Sequence, residues 1–219
     1  MPYEITSITR MGVNCYIIRT DSGFFMIDSG LSFSRKAVNE GLIDAGCRPG
    51  ELKLVILTHG DIDHTGNCIF LRKEYDAKIA VQQSESKALE KGNIVGNRKR
   101  NTRFFFRVVL APLWKLIGHP FKPDLFLSDN EDLSPYGLNA KVIYTPGHTM
   151  GSISILTAEG DFFCGDFLNY GKYPKVNSLV DDEEEMAASV AKLKTLNTRK
   201  IYPGHGQAFT MEELLKNIE

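Results

Sequence analysis

Short apolar segments that alternate with polar positions open the chain and predict three strands. Residues 4–10, 13–20 and 24–30 are rich in Ile, Val, Phe and Tyr, and an Asp-Ser-Gly sequence at 21–23 separates the last two. Strands that follow one another through such short turns usually pair antiparallel. The N-terminal pattern therefore predicts a β-meander.

The repeat of apolar positions then changes from every two residues, as in a strand, to about every 3.6 residues, as in an α-helix. Val38 and Leu42 fall on one face of a predicted helix over residues 33–45, and Gly46 is placed to end that helix. The continuous apolar run at 52–58 is typical of a strand buried on both faces of a sheet. These elements predict a sheet that is covered by helices.

Strands and helices continue in two successive halves, without an internal repeat. A chain of 219 residues is of a size that forms one domain with its own core. We therefore predict a single domain, 1–219, of the α/β (α+β) class. The further helices predicted are 65–75, 182–196 and 210–218, and the further strands are 78–82, 138–144, 152–157, 161–164 and 199–203.

The composition is that of an ordinary globular protein. Apolar residues make up 42% of the chain and charged residues 24%. The four cysteines have no C-x-x-C spacing, which argues against a zinc ribbon and against a dense disulfide framework. The first residues lack the basic start and apolar run of a signal peptide, so we predict a cytoplasmic protein.

Charge is unevenly distributed, although the formal net charge is only −1. Residues 84–122 contain nine basic and two acidic side chains, whereas the rest of the chain contains 17 basic and 25 acidic ones. Apolar residues recur at helical spacing on both sides of Pro112, which predicts two short helices. We interpret 84–122 as a basic helical insertion that either covers the functional site and selects an anionic or amphiphilic substrate, or docks on the acidic body as plain surface.

No transmembrane segment is predicted. The apolar part of the insertion, residues 104–118, includes Arg107 and Lys115 and is shorter than the roughly 20 residues that a membrane-spanning helix needs. Contact with a membrane surface stays open as an alternative.

Four of the five histidines lie in three short loops, and each loop follows an apolar strand. Carboxylates accompany them, four ligand-capable side chains falling within six residues of the first loop, where uncompensated negative charges would repel each other. Imidazole nitrogens and carboxylate oxygens are the ligands that zinc and related divalent metals require. The candidate ligands are His59, Asp61, Asp63, His64, His148, Asp166 and His205.

The order of these motifs resembles that of the metallo-β-lactamase superfamily, with motifs similar to those of glyoxalase II. The resemblance covers residues 12 to 210 and implies a four-layer αββα sandwich with a dinuclear metal centre. The motifs that carry it are MIDSG (26–30), LTHGDIDHTG (57–66), TPGHTMGSISI (145–155), FFCGD (162–166) and YPGHG (202–206).

Carried over residue by residue, the resemblance implies two groups of ligands and one shared ligand. His59 and His148 would bind the first metal ion, Asp63, His64 and His205 the second, and Asp166 would bridge the two. Two divalent metal ions are therefore the expected cofactors.

Asp61 departs from the family, which usually has His at this position. Asp61 either ligates the first metal through a carboxylate oxygen or points away and leaves its place to water. Zinc is the expected metal. An added carboxylate makes the site more negative and favours harder ions, so iron and manganese are further candidates.

The resemblance implies a metal-dependent hydrolase. A hydroxide bound by the metal pair would cleave an ester, thioester, lactone or phosphodiester of a small-molecule substrate, with Asp63 orienting that hydroxide. The alternative is a redox protein, because the flavodiiron oxygen and nitric oxide reductases have Glu at the position of Asp61; such a protein would need a separate electron donor.

No nucleic-acid partner is expected, since the acidic body would repel a polyanion. The oligomeric state is left open.

Four further residues are candidates for supporting roles. Asp28 is either an acceptor for a ligating histidine or a simple turn residue. Tyr170 is a candidate donor to a substrate oxygen, Cys164 is expected to pack in a strand interior, and His119 is expected in an ordinary loop.

Overall fold

Three antiparallel strands start the first sheet, as the alternation predicts. The computed structural model describes residues 3–92 and 120–218. Strand β1 (Glu4–Arg10) pairs with β2 (Val13–Thr20), and β2 pairs with β3 (Gly23–Ile27). The β-meander is therefore confirmed.

The same sheet continues with three parallel strands. Its order is β1-β2-β3-β4-β5-β6, where β4 is Leu52–Ile56, β5 is Lys78–Gln82 and β6 is Leu125–Leu127. Parallel neighbours need crossover connections, and helices supply most of them. The helices of this half are α1 (Arg35–Asp44), which follows a 3-10 turn at Ser32–Ser34, α2 (Ile62–Thr65), α3 (Cys68–Tyr75) and α4 (Gln83–Glu90).

A four-stranded sheet forms the second half, in the order β12-β9-β8-β7. The hairpin of β10 and β11 lies outside both large sheets, and a 3-10 turn at Ser134–Tyr136 precedes β7. The strands are β7 (Ala140–Tyr144), β8 (Ile153–Thr157), β9 (Asp161–Gly165), β10 (Leu168–Tyr170), β11 (Pro174–Val176) and β12 (Lys200–Pro203). The helices are α5 (Glu183–Leu193) and α6 (Met211–Ile218).

Neighbouring residues on one strand enter different cores, which defines the layers. On β2, Ile17 packs beneath the helices of the first half, whereas Ile18 packs between the two sheets. On β9, Phe163 packs between the sheets and Phe162 packs beneath α5 and α6. Successive side chains of a strand point to opposite faces, so two sheets with helices on both outer sides give the αββα sandwich that was expected.

The predicted insertion boundary cuts into the fold. Helix α4 begins at residue 83; its Leu89 packs with Phe121 in the core beneath the helices of the first half, and Ala88 is buried as well. The two ends of 84–122 are therefore parts of the domain rather than an addition to it. Residues 93–119, which include the two predicted helices and His119, lie outside the described residues.

The remaining differences concern short elements. The predicted helix 65–75 begins three residues later, as α3 (Cys68–Tyr75), and the one-turn α2 (Ile62–Thr65) before it was not predicted. Three strands of three residues each, β6, β10 and β11, were not predicted, because three residues are too few for an alternating pattern. Within residues 3–92 and 120–218, no helix is long and apolar enough to cross a membrane.

Candidate metal centre

The carboxyl ends of four strands bring the candidate ligands together at one edge of the sandwich. The first loop follows β4, His148 follows β7, Asp166 follows β9 and His205 follows β12. Because β9 and β12 are parallel neighbours, Asp166 and His205 leave their sheet at the same edge. The two sheets face each other, so loops from both meet there.

The first pocket contains two buried imidazoles and one carboxylate. Asp61 Oδ2 lies 3.5 Å from His59 Nε2 and 3.3 Å from His148 Nε2. Asp61 precedes α2, but its side chain does not cap that helix. Of the two alternatives for Asp61, the structure therefore shows the inward orientation.

The second pocket has the same kinds of side chain. Asp63 Oδ2 lies 3.3 Å from His205 Nε2 and 3.7 Å from His64 Nε2. His64 is fully buried, whereas 34% of the His205 side chain and 27% of the Asp63 side chain are exposed. Solvent therefore reaches this pocket from the side of Asp63 and His205.

Asp166 lies between the two pockets and offers one oxygen to each. Its Oδ1 is 3.3 Å from Nε2 of both His64 and His205 in the second pocket. Its Oδ2 is 3.7 Å from His148 Nε2 in the first pocket. This is the placement of a carboxylate that can bridge two cations.

Each of the four imidazoles has its Nδ1 beside an oxygen of the protein, so that Nε2 turns toward the pockets. Such a partner fixes the tautomer and the orientation of a ligating histidine. The partners are Thr58 Oγ1 for His59 (3.0 Å), Asp28 Oδ2 for His64 (2.8 Å), the Leu179 carbonyl for His148 (2.7 Å) and the Gly12 carbonyl for His205 (2.8 Å).

Asp28 joins the two ends of the first loop, at Thr58 and His64, and has the acceptor role that the sequence suggested. Its Oδ1 accepts a hydrogen bond from the Thr58 amide at 2.8 Å, and its Oδ2 accepts from the Thr58 hydroxyl and lies beside His64 Nδ1, both at 2.8 Å. The backbone of Asp28 is left-handed, with φ of 57°. Asp and Asn tolerate this conformation better than most residues.

Several polar atoms that face the pockets fit a cation. Nε2 of His59, Nε2 of His64 and Oδ1 of Asp166 are buried and have no hydrogen-bond partner in the part of the chain that the structure describes. Buried polar atoms are costly when they stay unsatisfied, and a metal ion would satisfy all three. Gly204 leaves the room for this arrangement, since a Cβ at that position would collide with the Asp166 carboxylate and the His64 ring.

The electrostatics of the centre favour positive charge. Burial alone would lower the pKa of His64, but the carboxylates of Asp28, Asp63 and Asp166 hold that pKa well above its ordinary value. Burial likewise opposes charge on His205, yet the neighbouring carboxylates of Asp166 and Asp63 raise its pKa to about 10. In the same way, burial would raise the pKa of Asp166, whereas the His64 charge holds it well below its usual range.

Sequence reasoning missed the residues that hold the His205 loop. The Asn14 side chain donates to the carbonyls of Pro203 (3.0 Å) and Gly206 (2.7 Å), and the Tyr16 hydroxyl donates to Pro203 (2.6 Å). The signal that the sequence offered was a polar residue, Asn14, in an otherwise apolar strand; the structure shows that Asn14 is buried.

Two other candidates have packing roles. The ring of Tyr170 lies 6.0 Å from that of Phe209 and packs against the core beneath α5 and α6, which favours a structural role over contact with substrate. Cys164 is buried in the same core, as expected.

Together, the fold and the site define a class: an αββα sandwich with clusters of His and Asp side chains at one edge that could hold metal ions. The model of the metallo-beta-lactamase superfamily matches residues 8–205, and the chain belongs to that superfamily. The resemblance seen in the sequence is therefore confirmed.

Known proteins support the same class. A probable metallo-hydrolase of Methanocaldococcus jannaschii is 28% identical over 83% of this chain and 82% of its own length. Hydroxyacylglutathione hydrolase GloC of Haemophilus influenzae is 28% identical over 96% of this chain and 93% of its own length. The structure of an archaeal metallo-β-lactamase superfamily protein from Sulfolobus tokodaii has a TM-score of 0.73 at 21% identity, over 100% of this chain and 86% of that one. The chain is thus a hydrolytic enzyme of this fold.

Proposed function

We propose that the protein is a thioesterase that holds two divalent metal ions. His59, Asp61 and His148 would hold the first ion, Asp63, His64 and His205 the second, and Asp166 would bridge them. The observation that carries this assignment is the position of Asp166, whose two oxygens face different pockets.

The substrate class rests on similarity over nearly the whole chain. The relative from Haemophilus influenzae is named a hydroxyacylglutathione hydrolase, and a hydroxyacylglutathione is a thioester; this relative aligns with 96% of this chain. The metal centre is compatible with esters, lactones and phosphodiesters as well, because the same chemistry serves all of them. The thioester is therefore the first substrate class to test.

The protein side chains and the metal pair have separate tasks. A metal pair lowers the pKa of water toward about 7 and polarises a scissile carbonyl. Asp63 lies on the exposed side of the second pocket, where its carboxylate can accept a hydrogen bond from the attacking water and orient it toward the carbonyl carbon. In the overall reaction the water oxygen bonds to that carbon and the carbon–sulfur bond breaks; one hydrogen of the water goes to the leaving sulfur, which departs as a thiol, and the other stays with the carboxylic acid product.

Zinc is the expected metal, and Asp61 is the reason to test iron and manganese. Each pocket offers two nitrogen ligands, one aspartate of its own and an oxygen of Asp166. Oxygen-rich sites suit harder ions than purely histidine sites do.

A thioester screen on metal-loaded protein tests the proposal. We expect metal analysis of protein purified without chelator to give close to two ions per chain. We expect hydrolysis of acyl thioesters, measured by thiol release, to fall at least about 10²-fold in Asp63→Ala, the low end for loss of a catalytic group. Asp44→Ala, which changes an exposed residue at the end of α1, is the control. Less than one metal per chain after reconstitution would contradict the assignment.

The same carboxylate favours one alternative function. A pair of iron ions in these oxygen-rich pockets would suit a redox role that draws electrons from a separate donor. Oxygen consumption in the presence of a reduced flavin donor, with no hydrolysis in the substrate screen, would replace the thioesterase by that alternative.

A further inference from the structure

A buried glutamate outside the seven candidate ligands lies directly behind the first pocket. Glu85 stands in the first turn of α4, and only 2% of its surface is exposed. Glutamate is rarely buried to this extent unless its carboxylate has a specific task. Its neighbours on both sides belong to loops that carry metal ligands.

On one side, Glu85 holds the turn that follows His148. Its Oε1 accepts a hydrogen bond from the Thr149 hydroxyl at 2.8 Å, and this bond is buried. The same hydroxyl lies 2.9 Å from Ser152 Oγ and accepts from the Gly151 amide at 3.3 Å. The carboxylate is therefore one end of a hydrogen-bond network that fixes the shape of this turn.

On the other side, Glu85 packs against the backbone between His59 and Asp61. A Cβ built on Gly60 would lie 2.5 Å from Glu85 Oε2, and one on Gly151 would collide with Glu85 Oε1. Both positions must be glycine for the carboxylate to fit. One side chain thus touches both loops that form the first pocket.

The second pocket is held by other groups. His64 is oriented by Asp28, His205 by the Gly12 carbonyl, and the loop of His205 by Asn14. The contacts of Glu85 described above are with Gly60, Thr149 and Gly151, which all belong to the two loops of the first pocket. Loss of Glu85 should therefore act on one pocket more than on the other.

We propose that Glu85 is a positioning residue that sets the separation of the His59–Asp61 loop from the His148 loop, and thereby the metal affinity of the first pocket. This inference rests on the two-pocket assignment made above. In this role the Glu85 carboxylate acts through an oxygen that accepts a hydrogen bond and through its size. Glutamine has both properties and should preserve the function, whereas alanine has neither and should not.

Zinc titration in two backgrounds tests this role. His205→Ala leaves the first pocket to report its Kd for zinc, and His148→Ala leaves the second. We expect Glu85→Ala to weaken zinc binding about 10- to 100-fold in the first background, the scale seen for partners of metal ligands, with little change in the second. Glu85→Gln should restore most of the loss, because its amide oxygen can still accept from Thr149.

Two further variants guard against a folding artefact. Glu90→Ala changes an exposed residue of the same helix and should leave both titrations unchanged. Thr149→Val removes the donor to Glu85 from the other side and should weaken the first pocket, with little added effect in the double variant with Glu85→Ala. Thermal melting of the metal-free proteins shows whether each variant is folded.

The inference is overturned if zinc binding weakens equally in both backgrounds, or if glutamine does not restore it. Absence of zinc binding in both backgrounds with Glu85 intact would overturn the metal assignment and this inference together. Because no substrate is present, a failure of thioester hydrolysis leaves the result unaffected.

Discussion

The two pockets have the same ligand chemistry but differ in exposure. Each contains two imidazoles and one aspartate of its own, and the two share Asp166. In the first pocket the side chains of His59 and His148 are 1% and 0% exposed, whereas 34% of His205 is exposed in the second. Asp61 of the first pocket is 21% exposed and His64 of the second is 0% exposed, so the first pocket is the more closed of the two and the second the more open.

Asp61 is what makes the two ligand sets alike. With histidine at this position the first pocket would have three nitrogen ligands and the second only two. The difference in exposure favours separate roles for the two pockets: the more closed one retains its metal ion, and the more open one binds the substrate.

Removal of the shared ligand should have the largest effect, because it damages both pockets at once. For Asp166→Ala we expect kcat/KM to fall by at least about 10³-fold, the upper end for loss of one electrostatic group, and metal content to fall below two ions per chain. Thiol release and metal analysis measure the two effects. Glu159→Ala, an exposed change just before the same strand, is the control. Retention of both ions with near-normal activity would show that Asp166 is not shared.

Loss of the Asp28 charge should affect the open pocket more than the closed one. Asn fits the left-handed backbone at this position, so Asp28→Asn should fold, but the amide is a weaker acceptor for His64 and Thr58. We expect zinc affinity to fall about 10- to 100-fold in the second pocket and less in the first.

Titration of Asp28→Asn in the His148→Ala and His205→Ala backgrounds measures the two affinities separately. Asp21→Asn, in the exposed turn between β2 and β3, is the matched control. An equal loss in both pockets would mean that Asp28 acts through the whole loop edge rather than through His64.

Changing Asp61 to His should make the two pockets chemically different. For Asp61→His we expect the preference for zinc over manganese in the first pocket to rise on the order of tenfold, because nitrogen replaces oxygen among the ligands. Competition titrations with the two metals in the His205→Ala background measure this ratio. An unchanged ratio would indicate that Asp61 does not contact the ion, although its side chain points inward.

The candidate ligands, and the fact that they come together, could be predicted from their positions in sequence motifs, whereas the groups that orient them could not. His59, Asp63 and His205 each follow a strongly apolar strand, and that pattern locates them at a sheet edge. The carbonyls of Gly12 and Leu179, which orient His205 and His148, have no sequence signature, because every residue has a carbonyl. Main-chain contacts depend on how the loops fold.

Glu85 shows how local charge can mislead. It precedes a strongly basic stretch and was counted with the surface charge of the insertion, yet it is buried and accepts a hydrogen bond from Thr149, 64 positions away in the chain. Burial of Ala88 and Leu89 on the same helix shows that α4 belongs to the core. The composition of 84–122 changes after this helix, but its first turn already serves the metal centre.

The smallest effect is expected from the basic segment, whose charges act on substrate binding rather than on either pocket. The four changed residues, Arg98, Lys99, Arg100 and Arg103, lie outside the described residues, so this prediction rests on sequence alone. Reversal of these charges should raise KM roughly two- to tenfold for an anionic thioester, the scale of exposed ion pairs, and leave kcat nearly unchanged. The difference should fade as salt is raised, because exposed charges are screened over about 10 Å at 0.1 M ionic strength. Charge reversal of the exposed Lys36 and Lys73 on the outer helices is the control. A KM that stays the same at low salt would identify the segment as plain surface and remove it from substrate selection.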